Sequence, residues 1–164
     1  MFKILARALA VGTFVLAAAI PITASAAGGG GGGASGAIAI SISPTVTLSD
    51  RLILTGEVTV MCPELIDGMT GLPVTSYYPD GFLNVSQVSG RDIAHAGLGG
   101  WTTTCDGVAR TYTLTGAAWD HPFRNGTGAA QASAGQLCGT DPSSGLFTCV
   151  TGAATQAVSI KVVR

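Results

Sequence analysis

From Ile38 onward, apolar residues recur at every second position rather than at helical spacing. In RLILTGEVTVMC (51–62), Leu52, Leu54, Val58, Val60 and Cys62 share one face, while Arg51, Thr55, Glu57, Thr59 and Met61 share the other. Successive side chains of a strand point to opposite sides of a sheet, so this alternation predicts a half-buried strand. VARTYTLTG repeats it, with Val108, Arg110, Tyr112 and Leu114 facing one way and Ala109 and three threonines the other. TQAVSIKVVR sets Val158, Ile160 and Val162 on one face. Shorter stretches with the same pattern are 38–42 with 45–48, 82–88, 91–98 and 129–135. Asp67-Gly68, Asp80-Gly81, Asp106-Gly107 and Asn125-Gly126 are turn dipeptides between them. No amphipathic helix pattern occurs in this region. About seven short strands separated by turns predict an all-β fold, an immunoglobulin-like antiparallel β-sandwich. A small β-barrel is the alternative.

The first residues break this pattern. MFKILARALAVGTFVLAAAIPITASAA has a basic start at Lys3 and Arg7, an apolar run from Ala8 to Ile20, the breaker Pro21 and small residues at Ala24-Ser25-Ala26. That layout predicts a secretory signal peptide over 1–26. The apolar run is shorter than the about 20 residues that span a bilayer, so no membrane insertion is expected after cleavage. A glycine run comes next, and 27–36 reads as a flexible tail: glycine loses the most backbone entropy on ordering and has nothing to bury. An exposed oligoglycine end can also accept sortase-type ligation. The remaining 37–164 make one β-sandwich domain of a secreted, extracellular protein.

Charge then narrows the partners. Removing Lys3 and Arg7 from eight basic residues leaves six against nine acidic ones, a net charge of −3. A mildly acidic chain with scattered arginines lacks the basic patch that nucleic acid requires, and it is not drawn to an anionic membrane surface.

In an exported chain the four cysteines, Cys62, Cys105, Cys138 and Cys149, are expected to form two disulfides. Local geometry selects the pairing. In LCGTDPSSGLFTC, Pro142 to Gly145 suit a four-residue hairpin loop. Asp141 then faces Leu146, Thr140 faces Phe147, Gly139 faces Thr148, and Cys138 faces Cys149. Opposed residues lie about 4.5–5.5 Å apart between Cα atoms, within disulfide reach. Cys62 and Cys105 are left for each other, in a bridge expected to tie two distant strands across the sheets. On a chain-entropy argument the long bridge contributes about 4 kcal/mol and the short one about 3 kcal/mol.

Candidate chemistry is sparse. There is no CxxC, HExxH, GxSxG or EF-hand loop, and no cofactor or metal is expected. His95 lies on a strand, and His121 in a loop beside Asp120. Adjacent residues of an extended segment point apart, so Asp120 is poorly placed to orient His121. Of the other acids, Asp67, Asp80 and Asp106 sit in Asp-Gly turns. Asn84-Val85-Ser86 and Asn125-Gly126-Thr127 match the N-glycosylation pattern. Aromatics are the stronger lead: Tyr77, Tyr78, Trp101 and Trp119 fall in expected loops and are the candidate ligand contacts, with Phe82 nearby. The same residues could instead plug the ends of the core.

Taken in order, VTVMCP (58–63), TCDGVARTYTLT (104–115), PFRNGTGAAQASA (122–134) and TQAVSIKV (155–162) resemble uncharacterised, secreted immunoglobulin-like β-sandwich domains of actinobacteria. The resemblance implies the fold and carries no active-site residues. ISPTVTLSD (42–50) gives a remote similarity to neocarzinostatin-type apoproteins, two-disulfide sandwiches that hold a small molecule in a cleft. The wide spacing of Cys62 and Cys105 departs from their short-range bridges. The resulting expectation is a non-catalytic binding or cell-surface interaction module, partnered by a protein, cell-wall or small-molecule ligand. A small-molecule carrier is the second reading and an enzyme the third.

Overall fold

The structure, a computed structural model, describes residues 36–163. The expected signal peptide and all of the glycine-rich tail but Gly36 lie outside the described residues, as does Arg164. Within them the chain is all-β, in eight strands: β1 (Ala39–Ile42), β2 (Thr45–Ser49), β3 (Ile53–Met61), β4 (Gly81–Ser89), β5 (Asp92–Trp101), β6 (Arg110–Ala117), β7 (Gly126–Thr140) and β8 (Phe147–Val162).

One edge of β3 is shared. Its second half pairs with β1, from Ala39↔Met61 to Ile42↔Val58, and its first half with β2, from Thr47↔Thr55 to Ser49↔Ile53. The break falls at Ser43-Pro44, because Pro44 has no N–H to give a ladder. Its carbonyl instead accepts from Ser159 N–H at 2.8 Å and leads β2 onto β8. The other edge of β3 pairs with β6 from Ile53↔Ala117 to Val60↔Arg110. Beyond β2 the sheet continues through β8, β7 and β4 to β5. The two ends, β5 and β6, meet at a single bridge, Ala96↔Ala118. There Gly116 has no room for a side chain, since a Cβ would lie 1.9 Å from the Gly97 carbonyl oxygen.

The alternation read from the sequence builds the core. Val46 and Leu48, Leu54 and Val58, Leu83 and Val85, Ala96 and Leu98, Ala130 and Ala132, and Val158 and Ile160 all point inward into one buried cluster. Assigned to the same face, Leu52 and Val108 are instead 49% and 53% exposed, because each lies in a turn before its strand begins. Val162 is 46% exposed at the frayed end of β8. Arg110 opens β6 by reaching back to Asp106, accepted at 2.7 Å. That contact holds the Asp106 carboxyl down to about 2.

Three details differ from expectation. The pairing of β2 with β8 is parallel, from Thr45↔Ser159 to Leu48↔Val162. The hairpin strand after Gly145 and the C-terminal strand are one element, the 16-residue β8. The Cys62–Cys105 bridge joins the end of β3 to the turn before β6, its hydrogen-bonded neighbour, rather than two distant strands. The Cys62 carbonyl accepts from Gly107 N–H at 3.0 Å, and the Cys105 carbonyl from Leu65 N–H at 3.0 Å.

The finger at the end of β7 and β8 has the register read from its turn. Thr140↔Phe147, Gly139↔Thr148 and Cys138↔Cys149 are opposed, and the Cys138–Cys149 Cα atoms lie 4.0 Å apart. Asp141 closes the loop, accepting from Ser143 Oγ–H and Ser144 Oγ–H at 2.7 Å each. Gly145 takes the left-handed conformation, φ 69°.

These features set two expectations for stability. Replacing both Cys62 and Cys105 by alanine is expected to cost about 4 kcal/mol against about 3 kcal/mol for Cys138 and Cys149, from loops of 43 and 11 residues. Denaturant titration of each double variant measures the order. In the β2–β3 turn Asp50 and Arg51 both have positive φ, 50° and 60°. Arg51→Gly is expected to stabilise by about 1 kcal/mol, read as a higher midpoint of thermal unfolding.

Candidate functional site

The structure separates the expected aromatic contacts. Tyr77 and Tyr78 are 99% and 81% exposed at the tip of a turn. Asp80 fixes that turn from below, its Oδ1 accepting from Ser76 Oγ–H at 2.7 Å and Thr103 N–H at 2.9 Å. Trp101 is not in a loop. It ends β5 and is buried, stacked on Tyr112 with ring centroids 6.1 Å apart. It lies on Gly81, where a Cβ would come within 1.9 Å of the ring, so Asp80-Gly81 starts a strand instead of making a turn. Trp101 is therefore packed into the core, away from the expected loop surface. Trp119 is the reverse, with 70% exposure, while Phe123 of the same segment is fully buried. Among the described residues, one groove on the outer sheet face takes Trp119 but not Tyr77, Tyr78 or Trp101.

That groove has a volume of about 360 Å³ and lies on the outer face of β5, β4, β7 and β8. Register arranges its floor in two rows. Gly97, Asn84, Gln131 and Thr155 stand opposite one another across the four strands, and His95, Ser86 and Ala129 form the next row. Neighbours within a row are about 4.8 Å apart and the rows about 6.8 Å. Trp119 makes the wall: a Cβ on Gly97 would lie 2.7 Å from its Cζ2 and 3.5 Å from Asn84 Oδ1. The indole thus leans over β5 beside the Asn84 amide because position 97 carries no side chain.

Trp119 is positioned through the backbone of His95. Its N–H donates to the His95 carbonyl at 2.9 Å, and Asp120 Oδ1 accepts from His95 N–H at 3.0 Å and from His121 N–H at 2.7 Å. These backbone donors, that of His95 foremost, hold the Asp120 carboxyl below the usual range. Further along, Gln87 clamps the segment: Nε2 donates to the Arg124 carbonyl at 3.0 Å and Oε1 accepts from Arg124 N–H at 2.8 Å. Phe123 fills the core beneath.

The floor groups are unengaged. Among the described residues, the side chains of Asn84, Ser86, His95, Gln131 and Thr155 make no hydrogen bond to protein. The β3–β6 face contrasts with them, since Thr55 bonds Thr115 at 2.9 Å and Thr59 bonds Thr111 at 2.8 Å. His95 and His121 are both exposed, and no three His, Cys, Asp or Glu side chains cluster as metal ligands among the described residues.

Sequence reasoning placed Trp119 in a loop but missed the floor. The available signal was the outward position of Gln131 on a strand whose other outward residues are mostly small or hydroxylated, and of Asn84 between outward Phe82 and Ser86. A scan of protein-family models and a search of curated proteins return no match to the chain.

Acid should release the wall. Because the folded Asp120 carboxyl lies below its ordinary 3.8, its contribution is complete above about pH 4 and is lost as pH falls through the folded value. Wild type should exceed Asp120→Ala in stability by a constant margin above about pH 5, narrowing below pH 4. Paired urea titrations across that range measure the margin. A margin that widened in acid would contradict the assignment.

Proposed function

We propose that the chain is an exported, non-catalytic binding module that takes its ligand at the Trp119 groove. The observation that carries this reading is the convergence of five unengaged polar side chains at the foot of a bared indole. Exposed aromatics beside well-placed polar groups are the usual makings of a recognition surface. Export is supported by the tripartite pattern of 1–26 and by two disulfides, which persist in oxidising compartments. Among the described residues no helix is long and apolar enough to cross a membrane. An immunoglobulin-like sandwich is supported by the strand order, in which β6-β3-β1 and β8-β7-β4-β5 are joined through β2, paired with both β3 and β8. A carrier of the neocarzinostatin type is less well supported, since the aromatics do not meet around an enclosed cleft.

Ser86 and His95 are opposed in the β4–β5 register and are the nearest approach to a nucleophile and base. No hydrogen bond joins their side chains, and Asp120 accepts from the backbone of His95, not from its ring. Ser86 also lies on β4, paired on both edges, so its neighbourhood offers no free N–H groups for an oxyanion.

Affinity capture from cell-wall and medium fractions of the producing cell, with the intact protein and its Trp119→Ala variant immobilised in parallel, tests the reading. Retention that falls about tenfold or more in the variant is expected. No retained material, or equal retention by both, would sink it. Ester hydrolysis that disappears in Ser86→Ala would favour an enzyme instead.

A further inference from the structure

We infer that the groove binds a neutral saccharide chain, with one sugar ring stacked on Trp119 and the sugar hydroxyls bonded to the floor. The inference rests on the binding-module reading and adds the ligand class. Its first support is charge. Apart from His95, the lining residues Asn84, Ser86, Trp119, Gln131 and Thr155 carry no ionisable side chain, so the floor holds no carboxylate, lysine or arginine to pair with a charged ligand. The second is hydrogen-bond chemistry. Each amide offers two donors and an acceptor, and each hydroxyl offers both kinds of site. A row of such groups matches a ligand whose own groups are hydroxyls, each at once donor and acceptor.

Shape gives the third support. The indole is bared and leans over backbone at Gly97, so a flat apolar surface stands beside the polar rows. A sugar ring has the same division, with C–H groups on its faces and hydroxyls on its rim. Phe82, 50% exposed, is the outward residue of β4 before Asn84 and lies outside the groove lining, beside Gly100 of β5, where a Cβ would be 3.4 Å from its ring. A second exposed ring beyond the groove suits an extended chain better than one enclosed molecule.

Competing ligand classes fit less well. A peptide that added itself as a strand would need an open edge, yet β4, β7 and β8 are paired on both sides, and the outer edge of β5 beside the groove is taken by Ala118, Trp119 and Asp120. A lipid chain would need a continuous apolar floor, and here Ala96, Ala129 and Ala130 are interrupted by Asn84, Ser86, Gln131 and Thr155. The floor is also held by the ladders beneath it, so little ordering cost falls on binding.

The test is a titration of the intact, ¹⁵N-labelled protein with neutral hexasaccharides of glucose, xylose, mannose, galactose and N-acetylglucosamine, followed at the two indole N–H resonances. At least one hexasaccharide should shift the Trp119 signal in a saturable way and leave that of Trp101 in place. Trp119→Ala and Gln131→Ala should each weaken binding about tenfold, and Tyr77→Ala should leave it unchanged. Affinity should stay constant between about 50 mM and 500 mM salt, because the ligand carries no charge to screen. Both substituted side chains are exposed, so these variants are expected to fold, and an unchanged spectrum away from the groove checks it. Silence at Trp119 across all five sugars overturns the inference. If Trp119-dependent capture still retains a non-saccharide partner, the binding-module reading survives without it. If capture also fails, both fall.

Discussion

The ladder between β7 and β8 is the constraint on which the rest of the sheet depends. It runs from Gly126↔Ile160 to Thr140↔Phe147, with one irregularity between Ala134 and Leu137. One end lies in the core and the other projects as the finger closed by Cys138–Cys149. Along its length it supplies an edge to β4 on one side and to β2 on the other. Every register that builds the groove floor is referred to it, since Gln131 stands opposite both Asn84 and Thr155. A one-residue slip would send the alanines of β7 outward and Gln131 into the core, at the cost of a buried amide without partners.

The second constraint is the distribution of small residues. Glycine at 97, 81 and 116 lets Trp119, Trp101 and the β5 backbone, respectively, come closer than a side chain would permit. At 81 the result is a buried indole, and at 97 an exposed one. The difference lies in the segment to which each tryptophan belongs. Trp101 ends β5 on the inner face against Tyr112, whereas the inward demand of the Trp119 segment is already met by Phe123 and Gln87. Asp120 and the His95 backbone then hold the Trp119 segment against β5.

Four of the acids are engaged in holding turns. Asp67, Asp106, Asp120 and Asp141 each accept from nearby backbone or hydroxyl donors and cap a local turn, which keeps their carboxyls ionised. Their charge is spent on loop geometry, and none of them stands in the groove floor.

The sequence by itself determined the local features: the all-β class, the inward faces of β3 and β8, and the hairpin register that opposes Cys138 to Cys149. Each rests on period-two alternation or on a turn of a few residues, and both are written in adjacent positions. It did not separate Trp101 from Trp119, although both come after small residues. Nor did it show that Asn84, Ser86, His95, Gln131 and Thr155 share one face, or that Cys62 and Cys105 bridge neighbouring strands. Those facts depend on which strands pair and in what register, over separations of tens of residues. Only the tertiary structure decided them, because burial and convergence belong to side chains that long-range pairing brings together.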